Sequence, residues 1–425
     1  MAEPYELTAT EAATQMDAGE LTSEELVASC LERIAAREDT VRAWEYLDPG
    51  AAIAGAKRAD GLPRRSPLHG IPFAAKDIID TADMPTAHGS PIYTGNRPGK
   101  DGACVTAMRD AGAVLLGKTV TTEFATFFPG KTRNPHNPDH TPGGSSSGSG
   151  AAVGDCMVPL AFGTQTAGSL IRPAAYNGVC GLKPSFGTVD LTGVKLLDAG
   201  LDHLGYMARS FDDLAVYYDI VRGAVPSTLA DGIGRAPKIG LCRTFKWDRA
   251  EPETVKAVED AASSLTGLGA EIVEQNLPGD MEDIADIHMT ILHVGLSKNL
   301  APEWENHRDL ISDRLQGMIQ SGFDKATAEY EAALTRADDY RARADDIFGN
   351  CDVFLTPSAP GIAPKGHDAT GDPMFQIPWT LLRTPCVTIP FVIGPEGLPV
   401  GVQLVARPGD DDKLLAIAKW FHLRF

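Results

Sequence analysis

Two clusters of glycine and serine lie between Thr141 and Pro184 and are separated by an apolar run. The first cluster is GGSSSGSG at residues 143 to 150, and the second is AGS at residues 167 to 169. Glycine- and serine-rich runs are usually loops or flexible linkers. A linker does not recur after a strand-like segment such as MVPLAFGT, and here the second cluster is followed by Arg172. We therefore interpret the two clusters as parts of one folded unit.

The composition is that of an acidic globular protein. Of the 425 residues, 43% are hydrophobic and 22% are charged, which is enough to bury a full core. The formal net charge of −19 disfavours a nucleic-acid backbone as a partner. The acidic start MAEPYELTATEAA does not resemble a secretory signal, and no run reaches the roughly 18 apolar residues of a membrane span. The seven cysteines are scattered without CxxC spacing, so we expect reduced thiols and a cytoplasmic location.

Helical and strand-like segments alternate along most of the chain. Apolar spacing predicts two antiparallel helices between residues 7 and 37, with a cap at Thr22 or Ser23. Further helices are predicted at 103–111, 211–221, 253–265, within 282–348 and from Asp412, and strands at 113–116, 237–242, 270–273, 353–355, 386–389 and 400–405. No point between these segments is typical of a free linker. The predicted fold class is therefore α/β, with one large domain over residues 1–425 and a central mixed β-sheet surrounded by helices.

Residues 112 to 119, GAVLLGKT, match the pattern of a phosphate-binding loop letter for letter. Such a loop needs a strand before its first glycine, a flexible run between its glycines and a helix after its lysine. Here the strand-like residues 113 to 116 lie between the two glycines. We therefore interpret this segment as an ordinary strand and expect no nucleotide there.

The histidines do not form a recognisable metal site. His288 and His293 are five residues apart, which is the wrong spacing for one face of a helix, and no HExxH motif is present. His136 and His140 lie in the loop NPHNPDHTP, where turn residues are the simpler interpretation. We expect neither a metal nor a cofactor.

Two other common sites are poorly supported by the sequence. Gly148 and Gly150 supply only a fragment of the GxGxxG dinucleotide motif, and no acidic ribose partner follows at a suitable distance. A Ser-His-Asp triad stays open, although no serine lies in a GxSxG turn with a histidine placed to serve it.

A serine nucleophile that uses a base other than histidine fits the remaining features. The run PLHGIPFAAKDII at 67 to 79 is apolar except for Lys76 and Asp77, and a lysine on a buried strand is costly. Burial would lower the pKa of Lys76 from about 10.4 and turn its amine into a base. The small residues 166 to 169 could aim backbone N–H groups at an oxyanion, and the first cluster could bring a second serine beside them.

These residues resemble the amidase signature family over nearly the whole chain. The matching segments are GIPFAAKD at 70–77, GGSSSGSGAAV at 143–153, QTAGSLIRPAA at 165–175 with the following GLKPSFG, LDHLGYMARS at 201–210 and GLPVGVQLVAR at 397–407. The resemblance implies a hydrolase that cleaves amide C–N bonds through an acyl-enzyme and without a cofactor.

The resemblance also implies a Ser-Ser-Lys triad. Ser169 would be the nucleophile, Ser145 the bridging serine held by a cis peptide bond, and Lys76 the base. An oxyanion hole would be formed by Thr166, Ala167 and Gly168. These residues lie in a catalytic core at about 65–215, which the N-terminal helices at about 7–37 precede and a further α/β and substrate-pocket region at about 235–425 follows.

The chain departs from the family pattern beside the nucleophile. The family commonly has DTGGSIR, whereas this chain has Gln165 in place of the aspartate and Arg172 three residues after Ser169. The shifted arginine resembles malonamidase-like members, which implies that Arg172 and Gln165 bind a substrate carrying a carboxylate. An ion pair of Arg172 within the scaffold is the alternative. The helix at 288–299 and the loop at 376–380 are candidates for the far side of the pocket.

We predict an amidase that acts on a small-molecule amide. The alternatives are a carbamate or ureide hydrolase of the urethanase or allophanate type, a glutaminase subunit of an amidotransferase, and a non-catalytic binding subunit. We expect no nucleic acid and no membrane as partners, and we consider a homodimer.

Overall fold

An eleven-stranded sheet runs through residues 3–425, which are the residues that this computed structural model describes. In chain order the strands are β1 (Trp44–Leu47), β2 (Pro72–Lys76), β3 (Val114–Thr119), β4 (Leu160–Gln165), β5 (Cys180–Lys183), β6 (His203–Ala208), β7 (Lys238–Leu241), β8 (Glu271–Glu274), β9 (Val353–Pro357), β10 (Cys386–Ile393) and β11 (Pro399–Val405).

Fifteen α-helices surround this sheet within the same residues. They are α1 (Ala9–Ala18), α2 (Ser23–Val41), α3 (Pro49–Asp60), α4 (Ala103–Asp110), α5 (Ser147–Gly154), α6 (Ile171–Tyr176), α7 (Phe211–Val221), α8 (Pro252–Gly267), α9 (Ile284–Asn299), α10 (Ala301–Asn306), α11 (Asp313–Phe323), α12 (Thr327–Arg341), α13 (Ala344–Phe348), α14 (Ile377–Leu381) and α15 (Asp411–His422).

The sheet is mixed, which confirms the predicted fold class. Its spatial order is β1-β3-β2-β4-β6-β5-β10-β11-β9-β7-β8. Strand β2 is parallel to both β3 and β4, and β7 is parallel to both β8 and β9, whereas the other neighbours are antiparallel. Every residue of β2, β3, β4 and β6 is buried, as expected for strands that helices cover on both faces.

The phosphate-loop match lies on a strand, as predicted. Lys118 and Thr119 end β3 instead of opening a helix. The Lys118 side chain is fully buried and its Nζ lies 3.4 Å from Asp77 Oδ1 and 2.6 Å from Thr86 Oγ1. Its amine is therefore committed to the scaffold.

The two N-terminal helices form where the apolar spacing placed them. Thr22 caps α2, and its side chain and Glu25 form a reciprocal capping box, which confirms the predicted helix start. The start of α1 is bound by a residue remote in sequence. Asp213 of α7 accepts hydrogen bonds from the backbone N–H groups of Ala9 and Thr10 at 3.0 and 2.8 Å. The N-terminal helices are thus fixed to the sheet layer. No helix of residues 3–425 combines the length and the apolarity needed to cross a bilayer.

Candidate active site

Lys76 is the last residue of β2, and its side chain is fully buried. Its Nζ donates to Ser145 Oγ at 2.7 Å and to Thr164 Oγ1 at 2.8 Å. Thr164 lies near the end of β4, and because β2 and β4 are parallel, their carboxyl ends meet at one edge of the sheet. Binding and catalytic groups commonly collect at this edge in α/β sheets.

The environment of Lys76 favours a neutral amine. Burial lowers the pKa of Lys76 well below its ordinary value, and the negative charge of Asp202 opposes this shift. Within residues 3–425, no carboxylate lies within ion-pair distance of Nζ. A neutral amine in hydrogen-bond contact with a serine hydroxyl can accept its proton.

The first cluster presents only one of its serines to Lys76. Ser146 Oγ accepts a hydrogen bond from the N–H of Thr164 at 3.1 Å, and Ser149 Oγ donates to a carbonyl of β4 at 2.7 Å. Ser147 Oγ donates to a carbonyl after β3 at 3.3 Å. These three serines bind the scaffold, whereas Ser145 points to the amine.

The glycines of the first cluster permit a close approach of backbone segments. Gly143 has a φ of 78°, which other residues rarely adopt, and the peptide bond between Gly144 and Ser145 is cis. A Cβ atom on Gly144 would lie 2.8 Å from Thr370 Cγ2. Larger residues at these positions would therefore displace Ser145.

The 166–169 turn, defined as Thr166 to Ser169, follows directly after β4. Its backbone N–H groups donate no hydrogen bond to residues 3–425. Two of its carbonyl groups instead accept hydrogen bonds from side chains of α9 and α14. Thr166 O accepts a hydrogen bond from His288 Nε2 of α9 at 2.8 Å, and Ala167 O accepts one from Thr380 Oγ1 of α14 at 2.7 Å. This orientation leaves the N–H groups free for an acceptor.

Ser169 is partly exposed and lines a small apolar cleft. Its neighbours there are Ala125, Thr126, Phe127, Thr166, Ala167, Leu197, Leu292, Leu296 and Met318. The predicted helix at 288–299 corresponds to α9 and supplies two of these leucines. The hydroxyl of Ser169 makes no hydrogen bond within residues 3–425, so its contact with Ser145 is not formed in this structure. The two clusters are joined through their backbones, because Ser146 N donates to Ser169 O at 3.1 Å.

Arg172 lies on α6 and contacts the first cluster. Only 1% of its surface is exposed, and Nη2 donates to Gly144 O at 2.7 Å and to Thr370 Oγ1 at 3.2 Å. Its Nε and Nη1 have no partner within residues 3–425, and burial lowers its pKa to about 10. Arg172 does not line the cleft beside Ser169. The scaffold ion pair considered from the sequence is absent from the described residues.

Gln165 is fully buried and caps the start of α6. Its Oε1 accepts hydrogen bonds from the N–H groups of Leu170 and Ile171, both at 3.1 Å, and its Nε2 donates to Thr380 Oγ1 at 3.1 Å. These contacts commit its amide to the fold around Ser169. Substrate binding by Gln165 stays a prediction.

Sequence reasoning gave no role to Thr164 and Asp202, and it included His288 and Thr380 only as members of the candidate pocket segments 288–299 and 376–380. Asp202 is the informative one, because it immediately precedes β6, all of whose residues are buried. An acidic residue at the start of a fully buried strand is a signal that the sequence does contain. Its partner could not be read, since the register between β4 and β6 is known only from the fold.

No group of three histidine, cysteine, aspartate or glutamate side chains in residues 3–425 is placed to hold a metal ion. The polar groups that converge on Lys76 and Ser145 belong to lysine, serine and threonine side chains, and the 166–169 turn adds its backbone N–H groups. They are suited to proton transfer and to binding a negatively charged oxygen.

A family model described as Amidase matches residues 25–415. The chain belongs to the amidase family. As a member of that family it is a hydrolase of amide bonds, which confirms the class of enzyme and the resemblance found from the motifs.

Relatives with similar sequences and structures cover almost the full length of this amidase. It is 33% identical to one of the subunits of the glutamyl-tRNA(Gln) amidotransferase of Chloroflexus aurantiacus, over 98% of this chain and 96% of that protein. It is 30% identical to the peptide amidase of Stenotrophomonas maltophilia, with a TM-score of 0.83 over 100% of this chain and 98% of that one. A further crystal structure of an amidase has a TM-score of 0.91 and 29% identity, over 99% of this chain and 100% of that one.

Proposed function

We propose that this amidase hydrolyses a small-molecule amide with Ser169 as nucleophile, Ser145 as bridging serine and Lys76 as base. The observation that carries the proposal is the contact of 2.7 Å between the buried amine of Lys76 and Ser145 Oγ. A lysine with a lowered pKa is suited to general-base catalysis near neutral pH. The backbone link between the two clusters supports placing Ser169 next in the relay.

The reaction proceeds in two halves. Lys76 Nζ takes the proton of Ser145 Oγ, which takes the proton of Ser169 Oγ as that atom bonds to the amide carbon. The N–H groups of the 166–169 turn bind the oxyanion. When the C–N bond breaks, the relay runs backwards and protonates the leaving nitrogen. Water then attacks the ester on Ser169 and gives a proton to the same relay, which returns it to Ser169 Oγ as the C–O bond breaks and the acid leaves.

The cleft beside Ser169 favours an apolar group next to the scissile carbonyl. Its walls are mainly leucine, phenylalanine, methionine and alanine side chains, which cannot satisfy a charged substituent. A carboxylate on the substrate would have to reach the two free nitrogens of Arg172 beside Gly144. Carbamates and ureides offer the same carbonyl to Ser169 and remain alternative substrates.

A second candidate is the release of ammonia from glutamine as one component of a larger assembly. The observation that favours it is the 33% identity to a component of an amidotransferase over nearly the whole of both chains. Copurification of a second protein that raises glutamine hydrolysis would favour this candidate over a free-standing amidase.

The test of the proposed function uses variants of the three residues proposed for the proton relay. We expect Ser169→Ala, Ser145→Ala and Lys76→Met each to lower kcat/KM for amide hydrolysis by at least about 10³-fold with the fold retained. A fluorophosphonate should label the wild type and fail to label Ser169→Ala. Ser147→Ala is the matched control, because it removes a hydroxyl that faces away from Lys76, and its activity should stay within about threefold of the wild type. Full activity in Lys76→Met would overturn the assignment of the base.

A further inference from the structure

Asp202 connects the 166–169 turn with the surroundings of the proposed base. It is buried immediately before β6, opposite the end of β4, where Gln165 pairs with His203. Continuing this antiparallel register by one residue places Asp202 opposite Thr166. Thr166 Oγ1 donates to Asp202 Oδ1 at 2.5 Å.

The other oxygen of Asp202 is fixed by the backbone. Asp202 Oδ2 accepts hydrogen bonds from the N–H groups of Leu197 and Asp198 at 2.6 and 3.2 Å. A carboxylate held on both oxygens by donors is oriented and resists rotation. The position of the Thr166 side chain is therefore tied to a rigid group.

The negative charge of Asp202 also acts on Lys76. Asp202 and Thr164, which is a direct partner of Lys76, line one small cavity. Among residues 3–425, Asp202 is the charged group that raises the pKa of Lys76 against the effect of burial. Other titratable groups around Asp202 are Asp198, Lys195 and His203. Lys195 is paired with Glu303 at 2.5 Å, and burial keeps His203 neutral by lowering its pKa.

We propose that Asp202 is a positioning residue that couples the 166–169 turn to the protonation of Lys76, through its hydrogen bond to Thr166 and its negative charge. The proposal rests on the proposed function, because Lys76 must be the base for its proton affinity to appear in the rate. Burial raises the pKa of Asp202 itself to about 7, so its charge changes in the range where the enzyme would work.

Two variants separate the two actions of Asp202. Asp202→Asn removes the charge and keeps an acceptor for Thr166. The pKa of Lys76 should then fall further, so the acid limb of the kcat/KM profile should move to lower pH by about one unit. Thr166→Val removes the hydrogen bond and keeps the charge. It should lower kcat about tenfold at every pH and leave the limb in place.

The outcomes distinguish this proposal from the proposed function. An acid limb that does not move in Asp202→Asn, in an enzyme that Lys76→Met inactivates, overturns the role of Asp202 alone. Full activity of Lys76→Met overturns the proposed function first. If Asp202→Asn does not fold, as judged by circular dichroism and thermal unfolding, Asp202→Ser takes its place, because it is also neutral and smaller. An acid limb of the kcat/KM profile that moves by the same amount in Thr166→Val and in Asp202→Asn would reflect a general disturbance of the site. That result would overturn the proposed coupling through Asp202.

Discussion

Arg172 is unusual at the scale of a single residue, because it is a buried guanidinium with two nitrogens that have no partner among residues 3–425. Its Nη2 donates to the carbonyl of Gly144, the residue that precedes Ser145, the proposed bridging serine. Leaving buried donors unpaired normally costs free energy. The residue therefore combines a contact to the scaffold with free donors that suit a carboxylate.

We predict that replacing Arg172 separates these two roles. Arg172→Met should lower kcat for all amides, because Gly144 O loses its donor. It should also raise KM for acid-bearing amides about 10- to 100-fold more than for neutral amides of the same shape, as expected for losing a charged hydrogen bond. Steady-state kinetics on one pair of matched substrates measures both effects. Equal changes in KM for the two substrates would leave Arg172 with the scaffold role alone.

A candidate site residue could be predicted from the sequence where a charged side chain lies in an otherwise apolar segment. Lys76 is such a residue, because it ends an apolar run, and the structure buries it beside Ser145. Thr164 gave no comparable indication, and the partner of Asp202 could not be predicted, since both depend on which strands are neighbours. The choice of Ser145 within the cluster came from family spacing, and the structure supplies its physical basis in the scaffold contacts of the other serines.

At the scale of elements, the short helix α6 depends on the strand before it. The N–H groups at the start of a helix have no partner inside the helix, and Gln165 at the end of β4 accepts from two of them. The family's usual aspartate at this position is also an acceptor. The substitution that first looked like a clue to substrate thus has a structural explanation as a helix cap.

We predict that removing this cap destabilises the protein. Gln165→Leu leaves two buried N–H groups without an acceptor, which should lower the free energy of unfolding by about 2 kcal/mol or more. It should also lower kcat, because the 166–169 turn lies between the cap and the helix. Denaturant unfolding and kinetics measure the two effects. Gln320→Leu on an exposed position of α11 is the control and should change stability by less than about 0.5 kcal/mol. Unchanged stability in Gln165→Leu would show that the cap is dispensable.

Helices and strands with a regular apolar pattern could be predicted from the sequence. Short strands that combine polar and apolar residues could not. The strand at 113–116, the helix at 211–221 and the final helix were found close to their predicted positions. Strands β5 and β6 were missed because their sequences, CGLK and HLGYMA, carry Lys183 and His203 at buried positions. A tertiary contact satisfies the polar group of Lys183, whose Nζ donates to Thr384 O. Sequence periodicity contains no information about such partners.

At the scale of the whole molecule, the N-terminal helices are attached to the core by a few buried carboxylates. Asp213 accepts three hydrogen bonds from Ala9 and Thr10, and Asp155 is paired with Arg33 and Arg37 at 3.0 and 3.1 Å. Neither carboxylate forms a hydrogen bond or ion pair with Lys76, Ser145 or Ser169. Their loss should affect stability and leave the chemistry intact.

We predict that Asp213→Ala loosens the N-terminal helices. It leaves the buried N–H group of Ala9 unsatisfied, so we expect the free energy of unfolding to fall by about 1–3 kcal/mol. Limited proteolysis should cut before residue 42 sooner than in the wild type, while kcat stays unchanged. Asp39→Ala, an exposed aspartate of α2, is the control for charge removal. Proteolysis at the wild-type rate in Asp213→Ala would contradict this attachment.

The order of strands in the sheet has a consequence for synthesis of the chain on the ribosome. All strands that carry the proposed catalytic groups are complete once β6 has emerged. The outer edge of β5, however, stays unpaired until β10 arrives, and Lys183 and Cys386 are separated by about 200 residues. At about 5–20 residues per second this interval lasts roughly 10–40 s. An open strand edge is a template for pairing with other chains, so chaperones that cover the nascent chain should raise the yield of folded enzyme.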